Sequence, residues 1–458
     1  MNIKKILILL IFLTIGLGIF SCNRNEARRS GAETEPVTIT FWHSMANDAG
    51  IAFETFVREF NAGPGAEMNI TVESIFQGQY AEATAKLRPL LQARQVNALP
   101  DVMQFDATGI VDYLNTEYAL TVDQAMALDS DFDTGIILEA PLKAWNYGGR
   151  QLGLPVSAST TIMYYNKSIL DAAGINSPPT TFEEIIETSR RLPTVNENNQ
   201  RLTAFAQQPN TPLLANWVGQ IPGRDGVNTS YVVDNRNGRD GNAEKLAADT
   251  DGNLLTFLRA WKTMYDAGAV LDVTDSFLNN MFLTQQIVFM TGSTSLLASL
   301  ISQIDGRFEL GTGFFPRINE DSNFGATVSG SALFMFDKGN SNGTRAAWEF
   351  VKFMTSSEIQ ARFAAETGYM PVNILSLQES TYVEHLLRYP QAATGSMQLS
   401  ITSPDMMGVI VGPSRNFYFE IVNQVSMMLT SGSSPEETVS SMSRALNLLL
   451  DDYAEANR

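Results

Sequence analysis

Short strand patterns and amphipathic helix patterns alternate along the chain from residue 37 onwards, and this order limits the fold more than any other feature. Apolar residues alternate with polar ones from Val37 to Phe41, and those between Phe53 and Phe60 recur at the spacing of one helix face. Further strand patterns follow at Asn69 to Ile75 and at Asp101 to Phe105. Because this order is typical of a parallel sheet, we predict an α/β fold whose apolar stripes form the core.

The size and the charge of the chain narrow the possible functions. Its 458 residues, 44% of them hydrophobic, are enough for a large core. The 49 acidic and 31 basic residues give a net charge of -18 at pH 7. A nucleic-acid binder needs a basic face that contacts phosphates, so we expect no nucleic-acid partner.

The N-terminal residues have the three parts of an export signal. Lys4 and Lys5 precede an apolar run from Ile6 to Phe20, which is followed by Ser21 and Cys22. The run is shorter than the roughly 20 residues of a membrane-spanning helix. Cys22 is the only cysteine, and the residues before it resemble a relaxed bacterial lipobox. We predict a lipoprotein signal peptide at residues 1–21 and lipidation of Cys22; the alternative is a cleaved secretory signal with an incidental thiol.

Residues 22–36 are polar and charged and contain no large apolar side chain, so they are predicted to form a flexible tether. After residue 37 no apolar run is long enough to cross a membrane. We therefore expect an extracytoplasmic body that the lipid alone holds at a bacterial membrane, on the periplasmic face or at the cell surface.

Capping patterns mark the starts of two helices. Thr181 and Glu184 form a capping-box pattern before one helix, and Ser434 and Glu437 form another before the last helix. The last helix is predicted to bury a face made of Val439, Met442, Leu446, Leu449 and Tyr453. Residues 225–253 are rich in Gly, Asn and Asp, which is typical of a long surface excursion.

The motifs that mark several enzyme classes are missing. The sequence has no G-x-S-x-G pentapeptide, no phosphate-loop or dinucleotide fingerprint and no H-E-x-x-H. Its two histidines, His43 and His385, are far apart, and the Asp-Gly clusters of residues 225–253 fail the calcium-loop spacing. We expect no catalytic residues, no metal and no cofactor. Because 49 acidic residues offer many carboxylate pairs, an exported glycosidase stays open as an alternative.

Several short segments occur together in a characteristic order along most of the chain. The most specific are Tyr164-Tyr165-Asn166-Lys167 and Thr367-Gly368-Tyr369-Met370-Pro371. Others are Phe60-Asn61-Ala62, Gln77-Gly78-Gln79-Tyr80, Leu154-Pro155, Ala173-Gly174-Ile175, Phe289-Met290-Thr291-Gly292-Ser293, Phe315-Pro316 and Gly330-Ser331-Ala332. Together they resemble the family 1 extracellular solute-binding proteins of ABC importers. Trp42-His43-Ser44-Met45 is most similar to the glycerol-3-phosphate-binding branch of that family.

This resemblance implies the type II periplasmic-binding-protein fold, known as the Venus flytrap. Two discontinuous α/β lobes are then joined by a hinge and close on a ligand. We expect residues 37–155 plus 313–342 in the first lobe and residues 156–312 plus 343–458 in the second. The resemblance also implies a monomer that performs no chemistry and delivers a small polar solute to the permease subunits of an ABC importer.

Two candidate residues for an anionic group follow from the resemblance. Ser293 precedes an apolar run and falls where the family has a ligand-binding serine. If it lies at a helix N-terminus, the free N–H groups there would favour an anion. An ordinary N-cap serine fits the same pattern equally well. Arg415 resembles an arginine that contacts the phosphate in the branch, and a guanidinium suits such an oxyanion. It lies in a segment, 412–419, that departs from the family pattern, and a surface arginine is the alternative.

The same comparison of positions gives five further candidates for contacts with the ligand. Tyr80 and Tyr369 would supply phenolic hydroxyls and Ser159 a hydroxyl, while Gly330 would supply a backbone N–H where a Cβ would obstruct the ligand. Packing and turn roles are the alternatives for these four. Asp106 is the candidate acceptor for polyol hydroxyls, displaced by one position from the acidic residue of the branch.

Aromatic platforms are the main departure from the branch. Where the branch has tryptophans, this chain has Phe205-Ala206-Gln207-Gln208, and Trp217 remains as a candidate for stacking on the carbon skeleton. The leading hypothesis is capture of sn-glycerol-3-phosphate or a glycerophosphodiester. The alternatives are a neutral mono- or oligosaccharide as ligand, the exported glycosidase, and a surface adhesin.

Overall fold

The first strand has the burial pattern that its sequence predicts. In the computed structural model, which describes residues 35–114, 116–129, 131–223 and 229–456, strand β1 (Val37–His43) buries Ile39 and Phe41. Helix α1 (Asn47–Ala62) follows and buries the predicted face between Phe53 and Phe60. Strands β2 (Ile70–Phe76) and β3 (Val102–Phe105) both run parallel to β1. The strand, helix, strand prediction for this part of the chain is confirmed.

The remaining elements continue the alternation of strands and helices. The other strands are β4 (Ala119–Leu120), β5 (Asn146–Tyr147), β6 (Arg150–Gln151), β7 (Leu154–Asn166), β8 (Thr203–Ala206), β9 (Val270–Leu271), β10 (Ile287–Ser293), β11 (Leu310–Gly313) and β12 (Val328–Phe336). The helices up to residue 220 are α2 (Pro64–Glu67), α3 (Tyr80–Gln92), α4 (Ile110–Leu114), α5 (Val122–Met126), α6 (Glu139–Lys143), α7 (Lys167–Ala172), α8 (Phe182–Ser189) and α9 (Thr211–Gln220). The later ones are α10 (Asp234–Gly238), α11 (Asn253–Asp266), α12 (Asp275–Leu283), α13 (Leu297–Ile304), α14 (Ser341–Met354), α15 (Ser357–Thr367), α16 (Ser380–Arg388), α17 (Ala393–Ile401), α18 (Ser414–Ser431) and α19 (Pro435–Ala456). Short 3-10 turns lie at 96–98, 107–109, 134–136, 294–296, 374–378 and 390–392.

One long strand connects the two halves of the sheet. The sheet order is β2-β1-β3-β12-β7-β10-β8-β9, with β4 beside β12 and β11 beside β7. Residues Leu154 to Thr160 of β7 pair with β12, whereas residues Thr161 to Asn166 pair with β10 and β11. Strands β1 to β4 therefore form one lobe with β12, strands β8 to β11 form the other, and β7 belongs to both.

Each lobe has apolar packing on both faces of its sheet. In the first lobe, α1, α14 and α15 cover one face, while Leu87 of α3, Tyr113 of α4 and Trp145 pack on the other. In the second lobe, α8, α9, α11, α18 and α19 cover one face, and α12 and α13 cover the other. Helices on both faces are typical of an α/β fold, so the α/β prediction is confirmed. The sheet is mixed and not parallel throughout, because β7 and β12 run antiparallel to their neighbours.

The lobe boundaries differ from the prediction in two segments. Residues 343–367 were assigned to the second lobe, but Trp348 and Phe363 lie in the core beside β1. Residues 313–327 were assigned to the first lobe, but Phe315 and Ala326 lie in the core of the second. Both errors have one cause: an amphipathic pattern shows that a face is buried without showing against which sheet.

The predicted helix starts are found where the capping patterns placed them. The Glu437 N–H donates to Ser434 Oγ over 3.2 Å and the Ser434 N–H donates to Glu437 Oε2 over 2.9 Å, which completes a capping box. Thr181 caps α8 through its hydroxyl, but the Glu184 carboxylate accepts from Thr180 instead of Thr181. The predicted face of α19 packs on the second core through Met442 and Leu446.

Some predictions concern residues that the structure does not describe. The signal peptide at 1–21, Cys22 and the tether up to residue 34 lie outside the described residues. Within the described residues, no helix is both long and apolar enough to cross a membrane.

Candidate ligand-binding cleft

A cavity of about 710 Å³ lies between the two lobes, next to strand β12. Residues from both lobes and from β12 form its wall. The polar and aromatic ones include Thr84, Arg88, Asp106 and Trp145 from the first lobe, Ser329 and Gly330 from β12, and Thr211, Arg239, Arg415 and Tyr418 from the second. Three arginines and one aspartate make the charged lining positive, although the whole chain carries -18.

Two helices of the second lobe begin at this cavity. Thr211 and Pro212 of the first turn of α9 line it, and so do Ser414 and Arg415 of the first turn of α18. The N-cap of α18 is Pro413, which supplies no side-chain hydrogen bond to the first N–H groups. Since helix N-termini carry partial positive charge and free donors, this wall is suited to an anion or to ligand hydroxyls.

Arg415 points out from the start of α18 into the lining, where the resemblance led us to expect it. It is exposed, and its guanidinium lies 5.7 Å from the centre of the Phe419 ring. Within the described residues it forms no ion pair. Its charge is therefore available to a ligand, while the contact itself stays a prediction.

Tyr80 and Tyr369 lie close to Asp106, which is part of the cavity wall. Burial, and then the neighbouring Tyr369 and Asp106, raise the pKa of Tyr80 far above its usual range. Burial also raises the pKa of Tyr369, whose ring stacks on Phe363 at 5.5 Å. Both phenols are therefore protonated at neutral pH and are hydrogen-bond donors. The structure thus brings together three of the predicted residues.

A buried chain of hydrogen bonds connects Tyr80 to the strands shared by the lobes. The Gln104 Nε2 donates to Tyr80 Oη over 2.9 Å and to Ser331 Oγ over 2.7 Å. Ser331 Oγ lies 2.8 Å from Ser157 Oγ on β7. Sequence reasoning missed these supporting residues, because each is an ordinary polar residue inside an apolar strand pattern.

Ser293 and Ser159 have structural roles in the described fold. Ser293 is the N-cap of the 294–296 turn, and its Oγ accepts from Ser295 N over 3.3 Å. Ser159 is only 4% exposed and pairs with Ser329 in the register of β7 and β12. Neither lines the cavity, so a ligand contact of either residue stays a prediction.

Gly330 lines the cavity, and the fold itself requires glycine at this position. Its φ is +127°, and an added Cβ would lie 2.2 Å from the carbonyl oxygen of Ser157 on the paired strand. The neighbouring strand therefore excludes a side chain here, while contact of the Gly330 N–H with a ligand stays a prediction. The register between β12 and β7 also shifts next to this point, between Ser331 and Ala332.

Trp217 was predicted to stack on the ligand, and this prediction is wrong. The indole is fully buried, lies 5.1 Å from the ring of Phe257 in a stacked arrangement, and donates from Nε1 to Pro316 O over 3.1 Å. Both its apolar body and its polar atom are thus satisfied inside the second core. The aromatic residues at the cavity are instead Trp145, Tyr418 and Phe419.

Gln207, at a position where the resemblance implies an aromatic platform, belongs to a polar cluster with Asp275 and Tyr418. Gln207 Oε1 accepts from Thr291 Oγ1 over 2.7 Å. Tyr418 Oη donates to Asp275 Oδ2 over 3.3 Å, and burial raises the pKa of Asp275. This cluster fixes the orientation of a cavity-lining phenol. No sequence pattern indicated Tyr418, which reaches the wall because it lies one turn after Ser414.

Comparison with known proteins identifies the class of this two-lobed cleft protein. Residues 55–386 match the family model described as "Bacterial extracellular solute-binding protein". The chain therefore belongs to this family. It is a solute-binding protein of an ABC importer and not an enzyme.

Particular relatives and solved structures are similar at low sequence identity. The sn-glycerol-3-phosphate-binding periplasmic protein UgpB of Yersinia enterocolitica is 21% identical over 436 residues, which cover 92% of this chain and 94% of that protein. The structure of UgpB from Mycobacterium tuberculosis in complex with glycerophosphocholine has a TM-score of 0.68 at 20% identity, with 91% of this chain and 99% of that chain covered. The sugar-binding protein MalE from Xanthomonas citri has a TM-score of 0.71 at 18% identity, with 92% and 99% covered. These structures confirm the predicted two-lobed fold.

Proposed function

We propose that this protein captures sn-glycerol-3-phosphate or a glycerophosphodiester between its lobes for import. The observation that carries the proposal is the positive cavity wall, where α9 and α18 begin and where Arg415 forms no ion pair within the described residues. A phosphate group matches both features, because it accepts hydrogen bonds from helix N–H groups and from a guanidinium. Asp106 then accepts hydrogen bonds from the polyol hydroxyls, with the two protonated phenols close to it.

The relatives support the same ligand class. UgpB of Yersinia enterocolitica is named for glycerol-3-phosphate, and UgpB of Mycobacterium tuberculosis was solved with glycerophosphocholine. In this proposal the lobes close on the ligand by bending of β7 and β12, and the closed form engages the permease.

We further propose that Cys22 carries the lipid that holds the protein at the membrane. Mass spectrometry of the protein purified from membranes tests this proposal. An unmodified Cys22 would contradict it.

The first experiment is a thermal-unfolding screen of the full-length protein. The ligands are glycerol-3-phosphate, glycerophosphocholine, glycerol, inorganic phosphate and maltose. A true ligand at about 100 times its Kd adds about 2.7 kcal/mol to the free energy of unfolding, which raises the Tm by a few degrees. We expect a shift with the two phosphorylated polyols and none with glycerol or maltose. A shift with maltose alone would contradict the proposed ligand.

The variant Arg415→Gln tests the anion contact. Loss of a charge-assisted pair is expected to weaken glycerol-3-phosphate binding by about 2 kcal/mol, because the phosphate loses a guanidinium donor. Isothermal titration calorimetry measures this change. Arg345→Gln is the matched control: it removes the same charge from an exposed arginine of α14 that does not line the cavity. Equal affinities of wild type and Arg415→Gln would contradict the role of Arg415.

A neutral saccharide is the second candidate ligand. It is favoured by one observation, the aromatic side chains Trp145, Tyr418 and Phe419 in the cavity wall, because sugar rings stack on aromatic faces. MalE of Xanthomonas citri, named as a sugar-binding protein, has a similar fold. This candidate predicts that sugars raise the Tm in the thermal screen. It also predicts that Arg415→Gln leaves the affinity for those sugars unchanged.

A further inference from the structure

Arg239 is a cavity-lining arginine that has no counterpart among the predicted site residues. Only 5% of its surface is exposed, yet it lines the same cavity as Arg415. It follows α10 and lies in the Gly-, Asn- and Asp-rich segment whose composition suggested a surface excursion. An arginine is rarely buried this deeply unless it is paired with an opposite charge.

The contacts of Arg239 reach across to the first lobe. Its Nη1 donates to the carbonyl oxygen of Ala144, and its own carbonyl oxygen accepts from Gly148 N over 2.9 Å. Nη2 donates to Gly408 O over 3.4 Å. Ala144 belongs to the core beside β3, whereas Arg239 is carried by the second lobe. The residue is thus held between the lobes, in a position that exists only when they are together.

The charge of Arg239 is not neutralised by any carboxylate of the described residues. Its hydrogen bonds go to backbone carbonyls, and its Nε has no hydrogen-bond partner within those residues. Burial and the nearby Arg236 lower the pKa of Arg239 to about 10, so it is still protonated at neutral pH. A buried cation that faces only carbonyl dipoles is unfavourable unless an opposite charge is placed near it.

A strained turn fixes this arginine in place. Asn235, Arg236 and Asn237 have φ values of +51°, +53° and +57°, which L-residues rarely adopt in succession. Asn237 holds the turn, because its Oδ1 accepts from Val232 N over 2.8 Å and its Nδ2 donates to Met407 O over 2.8 Å. Gly238 approaches Ile410 so closely that a Cβ would lie 2.1 Å from the Ile410 carbonyl oxygen. The surrounding contacts maintain this strained backbone conformation. The turn places Arg239 at the interface between the two lobes.

We propose that Arg239 makes closure of the lobes depend on the negative charge of the ligand. Closing the lobes buries its guanidinium beside the cavity, which opposes closure. An anion in the cavity offsets that burial, whereas a neutral ligand does not. Arg239 is thus a specificity-determining residue that acts through the closure equilibrium, beside the direct contact proposed for Arg415. This inference rests on the proposed function, since it requires an anionic ligand in this cavity.

The variant Arg239→Gln tests the inference in the full-length protein. Glutamine keeps a donor for the Ala144 carbonyl and removes the charge. Without ligand, small-angle X-ray scattering is expected to give a smaller radius of gyration for Arg239→Gln than for wild type, because closure no longer buries a cation. The affinity for glycerol-3-phosphate is expected to fall about tenfold or more. This is the size of effect expected when the attraction between two opposite charges in a partly buried cavity is lost.

Arg345→Gln is the control, as it is for Arg415→Gln. Arg345 is an exposed arginine of α14 and does not line the cavity. It is expected to keep the wild-type radius of gyration and the wild-type affinity. If Arg239→Gln has the wild-type radius of gyration and the wild-type affinity, the inference is overturned.

A measurement on the wild-type protein keeps the inference testable if Arg239→Gln does not fold. Inorganic phosphate is titrated into the protein while the radius of gyration is recorded, with glycerol in parallel. We expect phosphate to compact the protein and glycerol to have no effect; compaction by glycerol but not by phosphate would overturn the inference. Compaction by phosphate without binding of glycerol-3-phosphate would instead contradict the proposed ligand and leave the role of Arg239 intact.

Discussion

Gly330 illustrates how a single residue controls the junction of the two lobes. It lies on β12, where this strand pairs with β7, and its φ of +127° is outside the range that other residues adopt easily. The missing side chain lets the Ser157 carbonyl approach closely. The same residue thus lines the cavity and lies on the strands shared by the lobes.

Replacing this glycine with alanine is expected to destabilise the protein strongly. Gly330→Ala places a Cβ 2.2 Å from a backbone oxygen, so β7 and β12 must separate locally. We expect a loss of several kcal/mol in the free energy of unfolding, measured by urea denaturation.

Gly268→Ala is the control for backbone strain alone. Gly268 also has a positive φ, +70°, but its added Cβ would meet nothing within 4 Å. Its cost is expected to be only about 1 kcal/mol. Equal costs for the two variants would show that the close approach to Ser157 is not what requires glycine.

At the scale of elements, an ion pair joins the first helix of the chain to a helix some 300 residues later. Glu59 of α1 accepts two hydrogen bonds from Arg362 of α15, of 2.7 and 2.8 Å. The Arg362 guanidinium also lies 5.0 Å from the centre of the Phe56 ring. These contacts help to hold α15 in the first lobe, which the predicted division of the chain did not anticipate.

The ion pair predicts a pH dependence of stability. Arg362 holds the pKa of Glu59 below its ordinary value of 4.5, so the folded state binds this proton less readily than the unfolded state. The stabilisation is therefore complete above the ordinary pKa and is lost as the pH falls through the lower folded pKa. We expect Glu59→Gln to lower the urea midpoint at pH 7 and to have little effect at the acid end.

The control for this prediction is Glu73→Gln. Glu73 is exposed on β2 and takes part in no ion pair within the described residues. It is expected to leave the urea midpoint unchanged at every pH. A Glu59→Gln effect that grows as the pH falls would contradict the assigned sign.

At the scale of the whole molecule, the lobes share two strands and are not independent domains. β7 pairs with β12 at one end and with β10 and β11 at the other, and the sheet continues through it. Unfolding of either lobe removes the hydrogen-bond partners of these strands in the other lobe. We therefore expect one cooperative unfolding transition for residues 36–458.

Hydrogen exchange followed by mass spectrometry tests this cooperativity. Peptides from β1 and from β10 are expected to lose protection at the same urea concentration, because they lie in one connected sheet. The intrinsic fluorescence of the buried tryptophans Trp348 and Trp261, one in each lobe, provides a second probe. Two separated transitions would show that the shared strands do not couple the lobes.

The sequence predicted the local structure well and the long-range arrangement less well. The strand at Val37, the helix after it and the capping box at Ser434 depend on neighbouring residues, and they are confirmed. The placement of Trp348 depends on which sheet its helix packs against, which no local pattern reports. The family resemblance supplied the two-lobed fold, which periodicity alone did not give.

Some residues of the cavity wall were predicted from the family resemblance, and others were not. Asp106 and Arg415 were predicted and line the cavity. Trp217 was misassigned, because an indole in a helix pattern fits a core as well as a binding site. Arg239 was missed since its burial results from a left-handed turn, whose Asn and Gly residues have the composition of an ordinary surface loop.

For the anionic ligand proposed above, the distribution of charge predicts how the rate of capture depends on salt. A chain of net charge -18 repels anions at long range, while the cavity wall attracts them at short range. Salt shortens the reach of the outer repulsion to about 8 Å at 0.15 M, and it weakens the attraction inside a partly buried cavity much less. In dilute surroundings the approach of the ligand is slowed, whereas in saline surroundings it is nearly unhindered. We therefore expect ionic strength to change the rate at which the proposed ligand is captured more than it changes the final occupancy of the cavity.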